Sequence, residues 1–476
     1  MKIKFLGATK SVTGSMHILE CGGKKVLIDC GLFQGRREES NYRNKNFPFD
    51  PKSIERVVLS HAHIDHSGNL PNLVKNGYQN GIYSTFATRD LCVVMLKDSA
   101  HIQEKDAEYL NKKKNRPFDF AQGGELVEPQ GLPPIEPLYD MNDVEKSLSL
   151  FRGIGYRKGF YVTANVKLTF FDAGHILGSA LSLFDISENG RHIRLAYIVD
   201  LGRKNMPILK DPEMLENIDF MIIESTYGNR LHDDLQEAEK KLAKVVNDTI
   251  SKGGKIIVPA FSLSRTQDIV FSLNRLQDAK KIPRIKVFVD SPLSVNITEI
   301  FKLHPECFDE ETNQIIASHE NPFGLKDIRY VTDIEESKKL NHLNEPCIII
   351  SASGMCESGR ILHHLKNNIE DPKNTIMVVG FMAKDTLGRK IVERQEKLKI
   401  FGDEYKLRAK VEVLDAFSAH ADRNELLEYV SHTKNSLKGV FVVHGEEEQS
   451  QALADGIKDL GIQNVMVPNL GQEVTL

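Results

Sequence analysis

The feature that most limits what this chain can fold into is a run of metal-ligand side chains directly after a short apolar segment. Val57-Val58-Leu59 predicts a buried strand, and residues 60–67 that follow read S-H-A-H-I-D-H-S. Imidazole nitrogens and a carboxylate oxygen are donors that zinc and neighbouring divalent metals bind. A loop that is merely rich in histidine is the alternative, but burying uncoordinated imidazoles beside a carboxylate is costly. Because alternate positions point in opposite directions, we predict that one metal binds His61 and His63 and a second binds Asp65 and His66.

Three further ligand-type residues follow predicted strands elsewhere in the chain. His175 lies in a Gly-His-Ile-Leu-Gly turn after the strand 167–172, Asp200 follows 195–199, and His444 follows 440–443. Each of them alone is more often structural than functional. Together with the loop at 60–67, however, four strands each place a ligand-type residue at the same end, which is how α/β enzymes assemble a site.

Bulk composition excludes several classes of protein. The 476 residues favour two or three domains, and acidic residues outnumber basic ones by 66 to 62, so a polyanion would have to bind a local basic patch. No apolar run approaches the ~18 residues of a membrane span. The apolar segment at the start of the chain, residues 1–7, is too short for a signal peptide. Six cysteines without a C-x-x-C pair indicate reduced thiols and a cytoplasmic protein.

Taken together, these motifs resemble the metallo-β-lactamase fold, and more specifically its β-CASP branch, which includes the endonuclease subunit of the cleavage and polyadenylation specificity factor. The resemblance spans nearly the whole chain. Besides the H-x-H-x-D-H loop and the three later ligands, it rests on Gly14-Ser15, Asp29 in L-I-D-C-G, Glu224 in E-S-T-Y-G-N-R, residues 259–265 (P-A-F-S-L-S-R), 290–293 (D-S-P-L), 351–360 (S-A-S-G-M-C-E-S-G-R) and 417–422 (F-S-A-H-A-D).

The resemblance implies a site with two zinc ions, or manganese in their place. It assigns His61, His63 and His175 to one metal, Asp65, His66 and His444 to the other, and Asp200 as the bridge, with Asp29 orienting metal ligands. A two-metal hydroxide mechanism would then hydrolyse a phosphodiester. His420 would act as the general acid, and Glu224 would accept a hydrogen bond from His420 and favour its protonated form.

Alternation of strands and helices predicts a second, α/β module inside the metal domain. From about Asp219 we predict a strand at 222–223, a helix over 233–251, strands at 256–258, 285–289, 347–350 and 376–379, and helices over 265–277 and 293–303. The chain then returns to further metal-site residues after about residue 410. The predicted fold is an αββα metallo-β-lactamase sandwich (1–208 and 391–476) with an inserted parallel-sheet β-CASP domain (209–390) and a groove between the two.

Two strand–loop–helix elements are candidates for binding substrate phosphate. The first offers Ser262, Ser264 and Arg265, and the second offers Ser351, Ser353 and Arg360, although plain helix capping explains each about equally well. His363 and His364 are expected on a helix surface. The segment 105–137, with a basic run at 112–116 and prolines at 117, 129, 133 and 134, shows no clear periodicity, and it is expected to be a solvated loop or, alternatively, a lid that contacts phosphates.

The function that these features favour is a cytoplasmic zinc-dependent ribonuclease acting on single-stranded RNA, with a homodimer left open by the resemblance. His444 stands where DNA-processing relatives usually have valine, which favours RNA by analogy. Val199 before the bridging Asp200 and the residues 381–385 depart from the family pattern. The alternatives are a small-ester or thioester metallo-hydrolase, a partner-dependent DNA or RNA nuclease, and a non-catalytic scaffold. The sequence does not decide between endonuclease and 5′-exonuclease.

Overall fold

The computed structural model describes residues 1–35, 37–114, 134–232, 235–318, 321–324, 327–380, 382–383, 385–414 and 417–476. Strands within these ranges are, in chain order, β1 Lys2–Phe5, β2 His17–Cys21, β3 Lys24–Ile28, β4 Ile54–Val58, β5 Ile82–Ser84, β6 Phe151–Gly153, β7 Phe160–Thr163, β8 Val166–Asp172, β9 Ala180–Glu188, β10 Arg191–Ile198, β11 Phe220–Ile223, β12 Ile256–Pro259, β13 Lys286–Val289, β14 Ile328–Tyr330, β15 Cys347–Ser351, β16 Thr375–Val378, β17 Lys397–Ile400, β18 Asp403–Lys406, β19 Lys410–Val413, β20 Gly439–Val442, β21 Val465–Met466 and β22 Glu473–Thr475.

The α-helices in the same ranges include one long helix, α4, and many short ones. None of the described helices is both long and apolar enough to cross a bilayer. In chain order they are α1 Arg37–Lys45, α2 Ile64–Ser67, α3 Leu70–Lys75, α4 Phe86–Lys114, α5 Met141–Ser149, α6 Leu235–Ile250, α7 Arg265–Asp278, α8 Pro292–Leu303, α9 Glu310–Ala317, α10 Ile334–Leu340, α11 Ile361–Asn368, α12 Leu387–Val392, α13 Arg423–Thr433 and α14 Glu447–Asp459.

Two seven-stranded sheets pack face to face and form the sandwich. Their strand orders are β22-β1-β2-β3-β4-β5-β6 and β21-β20-β11-β10-β9-β8-β7. Phe5 and Ile28 of the first sheet share one buried cluster with Phe184 and Phe441 of the second. Helices α3, α4 and α5 cover the outer face of the first sheet, and α13 and α14 cover that of the second. The predicted αββα sandwich is therefore confirmed.

A separate six-stranded sheet, ordered β14-β13-β15-β12-β16-β19, forms the second module. All its strand pairs are parallel. The central strands β12, β15 and β16 are buried along their whole length, which explains why they read as continuous apolar runs instead of alternating ones. Helices α6 and α7 pack on one face, and α10, α11 and α12 on the other. The predicted parallel sheet with helices on both sides is confirmed.

The strand around Ile222 does not belong to the module in which we placed it. β11 pairs in parallel with β10 and with β20, so it lies inside the sandwich. Conversely, β19 pairs in parallel with β16 and completes the six-stranded sheet. A short buried strand reads the same in either parallel context, so the sequence pattern could not assign it. The domain ranges 1–208, 209–390 and 391–476 stay predictions, and we propose moving their limits to just after β11 and β19.

The segment 105–137 is more regular at its start than its composition suggested. Residues 105–114 continue α4, whose inner face carries Leu96, Ala100 and Ala107 into the core, so the expectation of an irregular segment is corrected there. Residues 134–137 carry no regular structure, and 115–133, which hold the end of the basic run at Asn115 and Arg116 and the prolines at 117, 129 and 133, lie outside the described residues.

The sandwich and the parallel-sheet module meet through α4 and α8. Ile297 and Phe301 of α8 join the same buried cluster as Leu96 of α4. At the edge of this contact the ring of His304 lies with Nε2 3.0 Å from an Asp90 carboxylate oxygen and Nδ1 2.7 Å from one of Glu306. A groove lies beside this contact, between the two modules, and the candidate site opens into the groove.

Candidate metal centre

The histidine-rich loop lies where the sequence placed it, at the end of a buried strand. β4 is followed by the loop and then by the short helix α2, and His61 and His66 are fully buried. Gly31 on the neighbouring chain segment lets this loop approach closely, because a Cβ at that position would lie 1.6 Å from the carbonyl oxygen of Asp65. The ligand-type side chains are thereby held inside the protein.

One group of donors brings together three histidines and an aspartate from three chain segments. His61 Nε2 lies 3.1 Å from His63 Nδ1 and 3.2 Å from Asp200 Oδ2. His175 Nε2 lies 3.4 Å from both His63 Nδ1 and Asp200 Oδ2. All four donor atoms lie within 4.8 Å of one another, so a single ion could contact them all.

A second group lies beside the first and consists of Asp65, His66 and His444. His66 Nε2 lies 3.1 Å from His444 Nε2, which lies 3.5 Å from Asp65 Oδ2. Asp200 connects the groups, because its Oδ2 is also 3.6 Å from His66 Nε2 and its Oδ1 is 3.4 Å from His444 Nδ1. The structure thus brings all seven predicted ligands together, in the two sets and with the shared carboxylate that the sequence suggested.

The chemistry of this cluster fits cations. Burial lowers the pKa of His63 to about 3 and lowers that of His175 well below its ordinary value, so both rings are neutral, the form in which imidazole binds a metal. His175 Nδ1 and Asp200 Oδ1 are buried without a hydrogen-bond partner among the described residues. Asp65 and Asp200 add negative charge that a buried site must balance. An imidazole-rich set with carboxylates is the donor set of zinc.

Several side chains hold the ligands in orientation. Asp29 accepts hydrogen bonds from His66 Nδ1 at 2.8 Å, from the Tyr197 hydroxyl at 2.8 Å, and from the backbone N–H and hydroxyl of Ser60 at 2.8 and 2.9 Å. The Ser60 hydroxyl also lies 3.0 Å from His61 Nδ1. Asp29 therefore stands where its predicted orienting role requires. Such contacts fix the tautomer and angle of a metal-binding imidazole.

Sequence reasoning missed some of these supporting residues. Tyr197 lies inside β10, where no motif marks it, and Thr226 lies in a loop within the E-S-T-Y-G-N-R motif, of which only Glu224 was assigned a role. Thr226 Oγ1 lies 3.2 Å from His444 Nδ1. The signals that could have found them are the motif around Thr226, which is two residues from Glu224, and the position of Tyr197 three residues before Asp200.

His420 and Glu224 form a partly buried ion pair at the edge of the metal groups. His420 Nδ1 lies 2.9 and 3.2 Å from the two oxygens of Glu224, whose Oε1 also accepts the Leu201 N–H at 2.5 Å. Burial opposes a charge on the His420 ring, but the carboxylates of Glu224 and Asp200 outweigh it and raise its pKa to about 9. His420 is thus held protonated at neutral pH, with its ring centroid 4.4 Å from that of His175.

Backbone strain coincides with the functional positions. Asp29, Asp200 and His444 follow β3, β10 and β20, and each has a positive φ, of 57°, 58° and 51°. Non-glycine residues rarely adopt this conformation, and they do so where the surrounding structure enforces it. In each case the sharp turn after the strand sends the side chain into the cluster.

The first predicted phosphate element lies on the groove. Ser264 and Arg265, at the beginning of α7, both line it, and Arg265 Nη1 pairs with Asp268 at 3.0 Å. Burial raises the pKa of Asp268 to about 6. Ser262 does not line the groove in the described part of the chain, and its hydroxyl lies 3.2 Å from that of Ser291.

The second predicted phosphate element is engaged within its own module. Arg360 Nη1 pairs with the buried Asp290 at 2.6 Å, the Ser351 hydroxyl donates to the carbonyl of Asp290, and Ser353 caps the following turn. None of the three predicted residues is among the described groove-lining residues. His364 is expected on the surface from the sequence but is fully buried. Its Nε2 lies 2.6 Å from the carboxylate of Asp290, a partner that makes a buried histidine tolerable. His363 is exposed as expected.

The cluster opens into a single groove of about 930 Å³. Its walls come from both modules. Around the cluster it exposes His63, Asp65, His175, Asp200, His420 and His444, and from there it extends along α4. A cavity of this size holds more than one nucleotide-sized unit of a polymer.

Three family models match successive parts of the chain. The metallo-beta-lactamase superfamily model matches residues 12–90, the Beta-Casp domain model residues 266–391, and the model for a Zn-dependent metallo-hydrolase RNA specificity domain residues 404–468. The first range contains Asp29 and the histidine-rich loop, and the third contains His420 and His444.

Characterised relatives match nearly the entire chain. A ribonuclease of Thermus thermophilus is 34% identical over 474 residues, which cover 100% of both proteins. A transcription termination factor of Methanosarcina mazei is 31% identical over 99% of this chain and 71% of its own length, and an RNase J-like protein of Methanocaldococcus jannaschii is 28% identical over 95% and 94%. A crystal structure of a protein of unknown function from Enterococcus faecalis aligns with a TM-score of 0.50 at 12% identity, covering 100% of this chain and 99% of that one, which shows the fold alone.

Proposed function

Because this chain belongs to the β-CASP family of metallo-β-lactamase-fold metallo-hydrolases, we propose that it is a zinc-dependent ribonuclease that hydrolyses phosphodiester bonds of single-stranded RNA. The observation that carries the proposal is the convergence of seven metal-type donors, five of which line one groove, with the His420–Glu224 pair, whose histidine lines the same groove. A small-ester hydrolase would need neither a long groove nor a protonated histidine beside the donors.

Two zinc ions are proposed, one for each donor group. His61, His63 and His175 would hold the first, the second group would hold the other, and Asp200 would contact both. When bound, the ions would supply Lewis-acid stabilisation of charge on the phosphate oxygens and lower the pKa of a coordinated water. Manganese is a less favoured occupant, because imidazole-rich sites prefer zinc.

The protein's own contribution to the reaction centres on His420. Its Nδ1 is held by Glu224, so Nε2 is the atom that can deliver a proton to the leaving ribose oxygen. Glu224 is fully buried while the His420 ring is 18% exposed on the groove, so the pair is screened from bulk water on the Glu224 side and the histidine remains within reach of a substrate. Ser264 and Arg265 line the groove and would position a phosphate of the RNA.

Cellular setting and assembly are also proposals. All six cysteines are buried and unpaired, which supports a reducing compartment, and we place the protein in the cytoplasm. A homodimer, as the family resemblance suggests, would be tested by light scattering.

Cleavage of a labelled single-stranded RNA by the purified protein tests the function. The wild type should cut the RNA, and His66→Ala should not. His192→Ala is the matched control, because His192 is 57% exposed in its side chain on the β9–β10 hairpin, and it should retain full activity. Metal-loaded wild type that cuts no RNA but hydrolyses a generic ester would replace the proposal with the small-ester hydrolase. Cleavage only after addition of a cell extract would favour a partner-dependent nuclease.

A further inference from the structure

Phe261 is a groove residue that core packing does not explain. It is the one phenylalanine, tyrosine or tryptophan among the described residues that line the groove. It is half-buried, and it belongs to none of the hydrophobic clusters found in the described ranges. An aromatic ring that lies on a wall outside the cores is available to contact a ligand.

Gly354 supports the ring from behind. A Cβ at position 354 would lie 2.7, 2.8 and 2.9 Å from Cδ2, Cε2 and Cγ of Phe261. Because these neighbouring ring atoms are almost equally distant, that point lies over the face of the ring and not at its edge. One face of Phe261 therefore rests on the main chain of a glycine, and the opposite face is the one that the ring can offer to the groove.

Two polar side chains that line the same groove, three and four residues after Phe261, have unused hydrogen-bonding capacity. Ser264 is 2% exposed, adopts a φ of 68°, and its hydroxyl has no hydrogen-bond partner among the described residues. Arg265 is 7% exposed and pairs with Asp268 through Nη1, but its Nε has no such partner either. Both line the same groove as Phe261, at the beginning of the 14-residue helix α7. A buried hydroxyl and a guanidinium N–H at a helix N-terminus are suited to an anion.

We propose that Phe261, Ser264 and Arg265 form one nucleotide subsite, in which the ring stacks on an unpaired base and the two polar side chains bind an adjoining phosphate. The inference rests on the proposed ribonuclease function and gives it a structural reason for choosing single strands. In a duplex, base faces are covered by their neighbours, so a stacking ring can only be used by unpaired nucleotides.

Binding of RNA without cleavage tests the stacking contact. Fluorescence anisotropy of a fluorescein-labelled single-stranded RNA is measured with the His420→Ala protein, which keeps every metal ligand. Adding Phe261→Leu should raise the Kd about 5- to 160-fold, the range that corresponds to loss of one base–aromatic stack. Phe261→Tyr should restore binding to within about 3-fold. Phe86→Leu is the matched control, since that exposed phenylalanine lies outside the groove-lining set, and it should leave the Kd unchanged.

RNA with a single abasic position separates stacking from a general structural effect. In a series of RNAs, the abasic site is placed at each position of the strand in turn. Binding to the parent His420→Ala protein should be weakened most at one of these positions. At that position the Phe261→Leu protein should lose almost nothing further, because the partner of the base is already gone. Equal losses in both proteins at every position would overturn the stacking assignment, as would a Phe261→Leu variant that binds like its parent.

The phosphate half of the subsite has its own readout. Arg265→Gln should lower the slope of log Kd against log salt by about 0.7, as expected for one lost phosphate contact on a single strand, and an unchanged slope would remove Arg265 from the subsite. In cleavage assays with His420 intact, Phe261→Leu should raise KM and change kcat by less than about 3-fold. Absence of RNA cleavage by the wild type would instead refute the underlying function.

Discussion

Replacing Glu224 by glutamine should move the alkaline limit of activity to lower pH. Glu224 is fully buried, and its carboxylate holds His420 Nδ1 at 2.9 Å. Burial disfavours the charged His420 ring, whereas Glu224 and Asp200 favour it and leave its pKa at about 9. Glutamine keeps the shape of the side chain and can still accept the Leu201 N–H, but it removes the negative charge.

The size of the shift follows from the strength of the contact. A hydrogen bond to a charged partner is worth about 1.5–3 kcal/mol, and one pKa unit corresponds to about 1.4 kcal/mol. The pKa of His420 should therefore fall by about one to two units in Glu224→Gln. At pH 8 the protonated fraction would drop from about nine tenths to between a half and a tenth, while at pH 6 it would change little.

Profiles of kcat/KM against pH between 5.5 and 9.5 measure this shift. For a general acid, activity is lost as pH rises through the pKa, so the alkaline limb should move towards neutrality in the variant. His232→Gln is the matched control, because His232 Nε2 contacts the backbone carbonyl of His420 and not its ring. An equal loss of activity at all pH values, with no change in the pH at which kcat/KM falls on the alkaline side, would refute the role of Glu224 in holding the proton on His420.

Three further substitutions test the surrounding structure. Asp29→Asn should weaken zinc binding about 10- to 100-fold, because His66 loses its charged acceptor, as measured by competition with a chelator. Asp290→Asn should lower the free energy of unfolding in urea by about 3–5 kcal/mol, since it removes the charged partner of the fully buried His364 and of the partly exposed Arg360, and leave zinc content unchanged. Burial raises the pKa of Asp172 from 3.8 to about 7. Between about pH 4 and pH 7 the folded protein therefore keeps a proton that the unfolded chain has released. The free energy of unfolding should fall as pH rises through that window. Asp172→Asn should reduce the fall in the free energy of unfolding in urea between pH 5 and pH 8, and an unchanged fall would remove Asp172 as a contributor.

The layers of the fold were predictable because their patterns are local. Continuous apolar runs marked the parallel strands β12, β15 and β16, and helical spacing of apolar residues marked α6. The assignment of β11 to a sheet was not predictable in this way. The sequence of a four-residue buried strand does not indicate which strands it pairs with. β11 pairs with β10, which precedes it, and with β20, which lies more than two hundred residues further along the chain.

At the site, the donor residues were visible in the sequence, but the supporting contacts were not. A single ligand-type residue after a buried strand, such as His175 or His444, is not informative, but several strands that each end in one predict a shared site. Tyr197 and Thr226 contact the cluster only because distant segments fold against each other. The same limit applies to Arg360, whose sequence setting resembles a phosphate-binding turn although its guanidinium is paired with Asp290 inside the module.

Anomalous diffraction at the zinc absorption edge, from crystals of the wild-type protein, tests the two-metal centre most directly. The account predicts two peaks per chain, each about 2.0–2.2 Å from the donor atoms of one group, with Asp200 contacting both. The first group is His61, His63 and His175, and the second is Asp65, His66 and His444. A single peak at full zinc loading, with the donors of either group hydrogen-bonded to one another instead, would contradict it.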